Sequence, residues 1–303
     1  MEQILLSKYA RKIFFFISSV IFILILFIRL LLVPKISVYL SQELINIFNT
    51  ILDAILSTGI STVIIGSLAF WLTPRIVKKS QMDVINPKEI KDYLEKARDT
   101  DEYWFAGGTG RFTRSKTIPK LAADARFSNF SKKIVLILIN PDNDGVCSSY
   151  VKYRNRIRSG IKKTWDYKEL KKEIFATIVS AYSWEKEQPL LEVTIGLIDH
   201  YSMFRIDLST KFLVITKEDT SEPALMCEKE TFFFKSYLED LRLSLSQSNI
   251  LDKEVEGIPF NELSGEKIRK FITVLGLNIS IMDDDDFNDI AELVKKGENP
   301  YGY

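Results

Sequence analysis

Two long hydrophobic segments near the start of the chain constrain its fold more than any other feature. Residues 13–33 form a run of 21 residues with one charge, that of Arg29, and residues 55–72 form a run of 18 residues with none. A lipid hydrocarbon core about 30 Å thick requires about 20 helical residues to cross it. The first segment is therefore long enough to cross a bilayer, and the second is just long enough. Residues 1–79 are predicted to form a two-transmembrane-helix region in contact with the lipid bilayer.

A cleaved signal peptide is the alternative interpretation of the first segment. Signal peptides have an apolar core of about 7–15 residues, followed by small residues at the cleavage site. Here the apolar run is longer and ends in Val33, Pro34 and Lys35, without such a site. A retained helix is therefore favoured. Arg29 lies about one turn from the end of the run, where its guanidinium can reach the lipid headgroups.

The flanking cations predict how the two helices are oriented. Three cations precede the first segment and three follow the second, namely Lys8, Arg11, Lys12, Arg75, Lys78 and Lys79. Lys and Arg in short loops favour the cytoplasmic side, so we expect both termini in the cytoplasm. Residues 34–52 carry apolar residues at roughly helical spacing. Either the second helix begins early, or an amphipathic helix lies on the outer surface.

Charge and rare residue types exclude several classes of function. The chain has 303 residues and a formal net charge of +1 at pH 7, so it does not bind nucleic acid as a polyelectrolyte along its whole length. Its two cysteines, Cys147 and Cys227, lack metal-binding spacing, and His200 is its one histidine. We predict no metal and no cofactor, and we expect the cysteines to be buried thiols.

After the hydrophobic segments, the sequence alternates between helix and strand patterns. Residues 102–106 and 133–139 are predicted strands, and the continuous apolar run of the second is typical of a buried parallel strand. Further strands are predicted at 190–198, 203–206 and 211–216, and helices at 87–98, 113–126, 150–163, 167–184 and 232–245. This order predicts an α/β cytoplasmic domain with a mixed sheet over residues 80–246. Residues 247–303 are predicted to be a linker and a small helical C-terminal appendage.

A glycine-rich turn after the first predicted strand is a candidate ligand- or nucleic-acid-binding site. Its candidate residues are Gly107, Gly108, Gly110, Arg111, Arg114 and Lys116. Successive backbone amides, a helix N-terminus and nearby cations together can bind an anion. The turn is not a Walker loop, because no Gly-Lys-Ser/Thr follows, and Thr113 replaces the third glycine of a dinucleotide-binding motif. The alternative is that the glycines serve only the geometry of a tight turn.

A second group of cations lies in the predicted helix at 150–163. Arg154, Arg156 and Arg158 alternate with other residues of this basic segment. Such a segment can interact with a nucleic-acid backbone or with anionic lipid. The alternative is a solvated helix face with no binding role.

His200 and Asp207 are weak catalytic candidates. Phospholipase D active sites contain the pattern His-x-Lys-x-x-x-x-Asp. Here His200, Ser202 and Asp207 have those spacings, with serine at the lysine position. In that chemistry the histidine is the nucleophile and the lysine neutralises phosphate oxygens, so the missing lysine leaves transition-state charge unmatched. A non-catalytic histidine at a strand end is favoured, and we predict that the chain is not an enzyme.

Small residues in the second hydrophobic segment predict helix packing. Gly59 and Gly66 are seven residues apart, with Thr62 between them. Small residues let membrane helices approach closely. We therefore predict that the active protein is a homo-oligomer packed through this segment. A short, weakly anchored helix is the alternative.

Several motifs together resemble a known family. Residues 103–114 (YWFAGGTGRFTR), 117–122 (TIPKLA), 134–141 (IVLILINP) and 147–154 (CSSYVKYR) are similar to a phospholipase-D-like α/β domain. With two hydrophobic helices in front of this domain, the chain resembles the two-transmembrane effector proteins of bacterial retron anti-phage defence systems.

The resemblance implies a function and partners. It implies a toxin of the bacterial inner membrane that is held silent by a retron reverse transcriptase with its msDNA/RNA. Phage interference would release the toxin to damage the membrane and cause abortive infection. It also implies a degenerate pseudo-enzyme, and Ser202 at the lysine position agrees with this. The resemblance does not identify the residues that contact the inhibitory complex.

The sequence leaves three functions open. The first is a membrane-perturbing effector with a regulatory α/β domain. The second is a membrane-anchored phospholipase-D-like phosphodiesterase that acts through His200. The third is a membrane scaffold or sensor with no toxic output.

The cation pattern makes a direct prediction about topology. Reporter fusions after Lys12 and after Lys79 should both give cytoplasmic signals, because cations flank the two hydrophobic segments on the same side. A phosphatase reporter and a fluorescent reporter at each position provide opposite readouts. A periplasmic signal from the second fusion would exclude the two-span arrangement.

Overall fold

The protein divides into two compact units, Met1–Gln81 and Met82–Tyr303. The structure is a computed structural model that describes residues 8–36, 41–72, 82–157, 164–219 and 221–296. The predicted boundary after residue 79 lies close to this division.

The first unit contains two helical segments that are long and apolar enough to cross a membrane. They comprise α1 (Lys8–Phe27), a π-helical turn (Ile28–Leu32) and α2 (Val33–Ile36), followed by α3 (Gln42–Leu72). Only 6% of the most apolar window of each segment is buried, which suits helices that meet lipid rather than a protein core. The second helix begins early, as the spacing in residues 34–52 allowed. The predicted cytoplasmic cations at 75–79 lie outside the described residues.

The two segments run antiparallel, and contacts towards both ends define the pair. The rings of Phe14 and Phe70 lie 5.7 Å apart, and a Cβ placed on Gly66 would lie 2.8 Å from Cζ of Phe14. Towards the other end, the Arg29 guanidinium forms an ion pair with Asp53. The sequence predicts that the Arg29 guanidinium reaches the lipid headgroups. The early start of α3 places Asp53 opposite it and gives it a partner within the hairpin.

The second unit is built around an eight-stranded mixed sheet. Its strands are β1 (Asp83–Ile85), β2 (Glu102–Ala106), β3 (Lys132–Ile139), β4 (Leu191–Ile198), β5 (Phe204–Ser209), β6 (Phe212–Lys217), β7 (Ala224–Glu228) and β8 (Asn249–Ile250). They lie in the order β1-β7-β6-β5-β2-β3-β4-β8. β2, β3 and β4 are parallel, and the other neighbouring pairs are antiparallel. The predicted α/β class with a mixed sheet is confirmed.

Helices connect and cover these strands. They are α4 (Pro87–Ala97), α5 (Ile118–Ser128), α6 (Asp144–Arg156), α7 (Tyr167–Glu187), α8 (Phe232–Ser246), α9 (Gly265–Val274) and α10 (Asp284–Lys296), with a π-helical turn at Thr113–Thr117 and a 3₁₀ turn at Phe260–Glu262. The predicted helix at 150–163 begins earlier, because the Asn143 side chain caps α6 by accepting a hydrogen bond from the amide of Val146. Described residues of α6 end at Arg156, and residues 158–163 lie outside the described part.

Apolar side chains on both faces of the sheet form the core. Every residue of β3 except Lys133 is buried, as expected for a parallel strand covered on both faces. Tyr103 and Phe105 of β2 pack with α5 and α7 on one face, while Trp104 packs with α8 on the other. Fully burying one such side chain stabilises the fold by about 1.5–3 kcal/mol. The central strands therefore fix the position of the loops at their ends.

The C-terminal segment belongs to the same core and does not form the predicted linker and appendage. β8 pairs with β4 at the edge of the sheet. Ile272 of α9 and Ile290 of α10 are fully buried, in the core that also contains α7. These two helices join the core because each has an apolar face that must be covered, and α7 covers both.

Candidate functional site

In open α/β sheets, ligands bind beyond the carboxyl ends of the parallel strands. β2 ends at Ala106, which is paired with Ile206 near the start of β5. Phe204 begins β5 and is paired with Lys217, which ends β6. The turn after β2, the start of β5 and the end of β6 therefore meet at one place.

The glycine-rich turn after β2 requires glycine at two positions. A Cβ placed on Gly108 would lie 2.4 Å from the hydroxyl oxygen of Tyr150, and Gly110 has a φ of +66°. The geometry of the turn therefore accounts for the glycines at these two positions without a bound ligand. The turn also presents donors, because no described residue accepts a hydrogen bond from the buried amides of Gly108, Thr109 and Gly110.

A buried carboxylate ties this turn to α7. Oε1 of Glu173 lies 3.1 Å from Nε of Arg111, and Oε2 lies 2.8 Å from Nη2 of Arg114. Arg114 also donates to the carbonyl oxygen of Glu173 at 3.0 Å, and the Thr177 hydroxyl donates to the carbonyl oxygen of Thr109 at 2.7 Å. The side chains of Glu173 and Arg114 are 1% and 9% exposed, so each charge depends on the other for its solvation. Burial lowers the pKa of Arg114, and Glu173 opposes this shift.

A second buried arginine comes from α6. Nη1 of Arg154 lies 3.1 Å from Oε2 of Glu218 and donates to the carbonyl oxygen of Glu218 at 3.3 Å. The Tyr150 hydroxyl donates to Oε1 of the same carboxylate at 3.0 Å. The guanidinium carbons of Arg154 and Arg111 lie 5.1 and 5.4 Å from the centroid of the Trp165 ring. One aromatic ring thus holds two cations beside each other.

A reciprocal pair of hydrogen bonds fixes the backbone of Trp165. Its amide donates to Oδ1 of Asn155 at 2.9 Å, and Nδ2 of Asn155 donates to its carbonyl oxygen at 2.8 Å. Asn155 belongs to α6, and Trp165 directly precedes the cap of α7. The end of one helix and the beginning of the next are therefore joined next to the arginines.

These side chains enclose a small polar cavity of about 20 Å³. Its lining includes Arg111, Arg154 and Arg205, together with Tyr150 and Glu218. A cavity of this size holds about one water molecule. Arginines that converge on a buried space can bind the oxygens of a carboxylate or phosphate. We call this space the arginine cavity.

A larger cleft of about 190 Å³ lies at the same edge of the sheet, on the face covered by α8. Its apolar lining includes Ile137, Ile198, Ile206, Ile215 and Leu241. Its polar lining is His200, Tyr201, Ser202, Tyr237, Asp240 and Ser244. An apolar space with a few polar groups is typical of small-molecule sites.

The two weak catalytic candidates lie on opposite faces of the sheet. His200 is exposed and lines the cleft, whereas Asp207 is buried on the other face. Neighbouring residues of a strand point to opposite faces, so Ile206 faces the cleft and Asp207 faces away from it. The Tyr103 hydroxyl donates to Oδ1 of Asp207 at 2.7 Å, and burial raises the pKa of Asp207. The motif spacing is present in the chain, but the fold does not bring the two side chains together.

The sequence singles out three residues of the arginine cavity, Gly110, Arg111 and Arg154. It does not assign Arg205, Tyr150 or Glu218 to the site. Tyr150 lies one helical turn before Arg154, so its position could have been found from the spacing of α6. Arg205 and Glu218 come from β5 and β6, and only the pairing of these strands brings them to the cavity.

The other predicted cations do not line this cavity. Arg114 is bonded to Glu173 and is a structural cation. Lys116 is half-buried in the π-helical turn, and Arg156 is exposed at the end of α6. Arg158 lies outside the described residues, so its predicted binding role stays a prediction.

The described part of the chain contains no group of three or more His, Cys, Asp or Glu residues that could hold a metal ion. In the acidic run at the start of α10, Asp283 and Asp286 both pair with Lys168. The two cysteines are buried free thiols, and burial raises the pKa of Cys147 to about 11.

Comparison with known proteins shows only distant likeness. No protein-family model and no characterised protein sequence matches the chain. Phosphatidylserine synthase of Haemophilus influenzae Rd KW20 is 11% identical to this chain, with a TM-score of 0.38. The match covers 69% of this chain and 48% of the synthase, so the chain spans about half the length of that enzyme. TrmBL2, an archaeal chromatin protein with a novel mode of DNA binding, is 10% identical, with a TM-score of 0.30, over 69% of this chain and 67% of that protein. TM-scores this low do not establish a shared fold.

The bridge formed by Glu173 predicts a large effect on stability. Glu173→Gln removes the carboxylate charge that pairs with the buried guanidinium of Arg114 and the partly exposed guanidinium of Arg111. Breaking a buried pair such as Glu173 with Arg114 costs about 3–5 kcal/mol of unfolding free energy. Urea unfolding of the full chain in detergent, followed by tryptophan fluorescence, measures the change. Glu239→Gln is the matched control, because Glu239 pairs with Arg242 on an exposed helix surface and such pairs contribute about 0–1 kcal/mol. Equal unfolding midpoints for the two variants would contradict the role of Glu173.

Proposed function

We propose that this chain is a membrane-anchored effector of a retron-type anti-phage system, which perturbs the bacterial inner membrane and causes abortive infection. The observation that carries the proposal is the antiparallel pair of apolar helices, largely exposed along its length, that precedes a separate α/β unit. Such a pair is suited to two-pass insertion with both termini in the cytoplasm. The resemblance to two-transmembrane retron effectors supports the defence role.

The surface of the helical hairpin supports a membrane output through self-association. An apolar groove of about 810 Å³ runs along the hairpin and is lined mainly by large apolar side chains, with small residues such as Ser18, Gly59 and Thr62 between them. A Cβ placed on Gly59 would meet no atom within 4 Å, so this position is open to a helix of another copy. Gly66 differs, because it packs against Phe14 inside the hairpin. We infer that several copies pack through the groove when the protein is active.

The α/β unit is proposed to regulate this output without catalysis. Ser202 stands where a phospholipase-like site needs lysine, and Asp207 is buried away from the cleft that contains His200. A retron reverse transcriptase with its msDNA/RNA is the proposed inhibitory partner. A phosphodiesterase that acts through His200 and a scaffold without toxic output are the competing functions.

Removal of the histidine separates the first two functions. On induction of the chain without its proposed inhibitor, His200→Ala should arrest growth and abolish the membrane potential at the parental rate, within about twofold, because His200 is exposed and has no role in the output. A potential-sensitive dye gives the rate, and protease resistance confirms the fold. Loss of activity in a folded His200→Ala variant would favour the phosphodiesterase. No toxicity from the parent chain would favour the scaffold.

Substitution in the groove tests the membrane mechanism. Gly59→Leu fills the open side of α3 while raising its hydrophobicity, so the protein should insert normally but depolarise cells several-fold more slowly and give weaker oligomer crosslinks. Ile65→Leu is the matched control, because Ile65 is an exposed apolar residue of the same helix that does not line the groove and the change conserves volume. Gly66→Leu should instead disturb the contact with Phe14 and loosen the hairpin itself. Depolarisation by Gly59→Leu at the parental rate would exclude packing through this groove.

A further inference from the structure

A row of polar side chains follows one side of α3, the second apolar helix. Asn46, Thr50, Asp53, Ser57 and Ser61 are spaced by three or four residues, so they lie on one face of the helix. All of them are exposed in the hairpin. Within the described residues, no group forms a hydrogen bond with the side chains of Asn46, Ser57 or Ser61. We call this row the polar stripe.

The polar side chains on the groove side of α3 differ from those of the stripe. The Thr58 hydroxyl donates to the carbonyl oxygen of Ala54 at 2.8 Å, and the Thr62 hydroxyl donates to that of Thr58 at 2.8 Å. A hydroxyl that is bonded to its own helix can lie against lipid or another apolar helix. The serines of the stripe lack such a bond, and an unsatisfied polar group is costly in hydrocarbon. The stripe therefore requires contact with water or with another polar surface.

A pair of charges places the stripe at membrane depth. Arg29 lies about one helical turn inside the end of the first apolar run and forms an ion pair with Asp53, which therefore has a similar depth. Ser57 and Ser61 lie about one and two turns deeper. The side chains of Arg29 and Asp53 remain 41% and 55% exposed in the hairpin. Charges at this depth almost always face a bundle interior or a water-filled space, and they mark ion pathways.

The stripe and the groove lie on different sides of α3. Gly59 lines the groove, whereas Asp53, Ser57 and Ser61 do not. Residues two positions apart lie about 200° apart around a helix, so Gly59 faces away from both serines. Contact through the groove therefore leaves the stripe of the same copy uncovered. A ring of copies can pack through the groove while the stripes surround a central space.

We propose that several copies of the chain form an ion-conducting passage, in which the polar stripe of each copy faces a water-filled centre. The inference rests on the proposed function and deepens it, because it names the route by which the membrane potential is lost. Water in the passage solvates the serine hydroxyls and the exposed charges. The passage conducts small ions and excludes large solutes.

The lining predicts how the passage treats ions. Arg29 and Asp53 are the charged residues of segments 13–33 and 49–72, and they neutralise each other, so the passage discriminates weakly between cations and anions. Beyond Ser61, the same face of α3 continues with the exposed apolar side chains of Leu68 and Trp71. That part of the passage is a hydrophobic constriction.

Conductance of the full chain in planar bilayers, with a KCl gradient across the membrane, tests the inference. The parent should give discrete current steps and a K⁺-to-Cl⁻ permeability ratio near one. Asp53→Asn leaves the charge of Arg29 unpaired and should favour Cl⁻ by about fivefold, and Arg29→Gln should favour K⁺ to a similar degree. The double variant should return to the parental ratio.

A matched variant separates this effect from a general change in charge. Lys35 is exposed and lies beyond the apolar run, so Lys35→Gln removes a charge outside the passage and should keep the parental permeability ratio. Membrane flotation checks that each variant is inserted.

Labelling of introduced cysteines gives a second readout, without a change in charge. In liposomes that contain the full chain, a charged thiol reagent should react with Ser57→Cys about tenfold faster than with Ile55→Cys, because thiols react as thiolates in water. Ile55 is also exposed in the hairpin, but it lines the groove. Cys147 and Cys227 are buried, so the parent gives the background. Should the charge variants fail to insert, this comparison decides, and equal labelling rates would contradict the inference.

Several outcomes would overturn the inference. It is wrong if the purified parent gives no conductance, or if both charge variants conduct with the parental permeability ratio. Release of a large dextran together with K⁺ from liposomes would overturn it in favour of general disruption of the bilayer. These assays use purified protein and are independent of toxicity. Conductance by a chain that leaves cells polarised would thus uphold this inference while removing the proposed output, and depolarised cells without conductance would do the reverse.

Discussion

The carboxylate of Glu173 fixes the loop from which the candidate site is built. It reaches from the buried centre of α7 to Arg111 and Arg114, which follow the glycine-rich turn, and it is almost completely excluded from water. A buried charge of this kind tolerates little displacement, because any loss of contact leaves a desolvated ion. The turn is therefore held at the end of β2, where Arg111 lines the arginine cavity.

Much of the α/β unit follows from the sequence, and the exceptions have physical causes. β2 has the predicted bounds, and β3 is recognised because a continuous apolar run needs cover on both faces. β1 and β8 have only three and two residues, too few to show a period. The C-terminal helices look like an appendage because a polar linker precedes them. Each of these helices has an apolar face, but the sequence does not show which element covers it. In the structure, α7 covers both faces.

The site was harder to predict than the fold, because its residues are far apart in the chain. Arg111 and Arg154 stand out as cations near a turn and on a helix. Arg205 and Glu218 become neighbours only through the antiparallel pairing of β5 with β6, which depends on register. The spacing of His200 and Asp207 shows the opposite case. The spacing of a linear motif predicts that the two side chains meet. Successive residues of β5 face opposite sides of the sheet, however, so Asp207 faces away from the cleft that His200 lines.

The hydrogen bonds between Asn155 and Trp165 have a consequence for how this protein can diverge. They join the last turn of α6 to the residue before the N-cap of α7, so the chain leaves and returns at two points that are held next to each other. Lengthening a closed loop adds little entropic cost, about 0.6 kcal/mol for each doubling. Insertions between these two points should therefore cost the domain little stability, while Arg154 and the ring of Trp165 keep their positions.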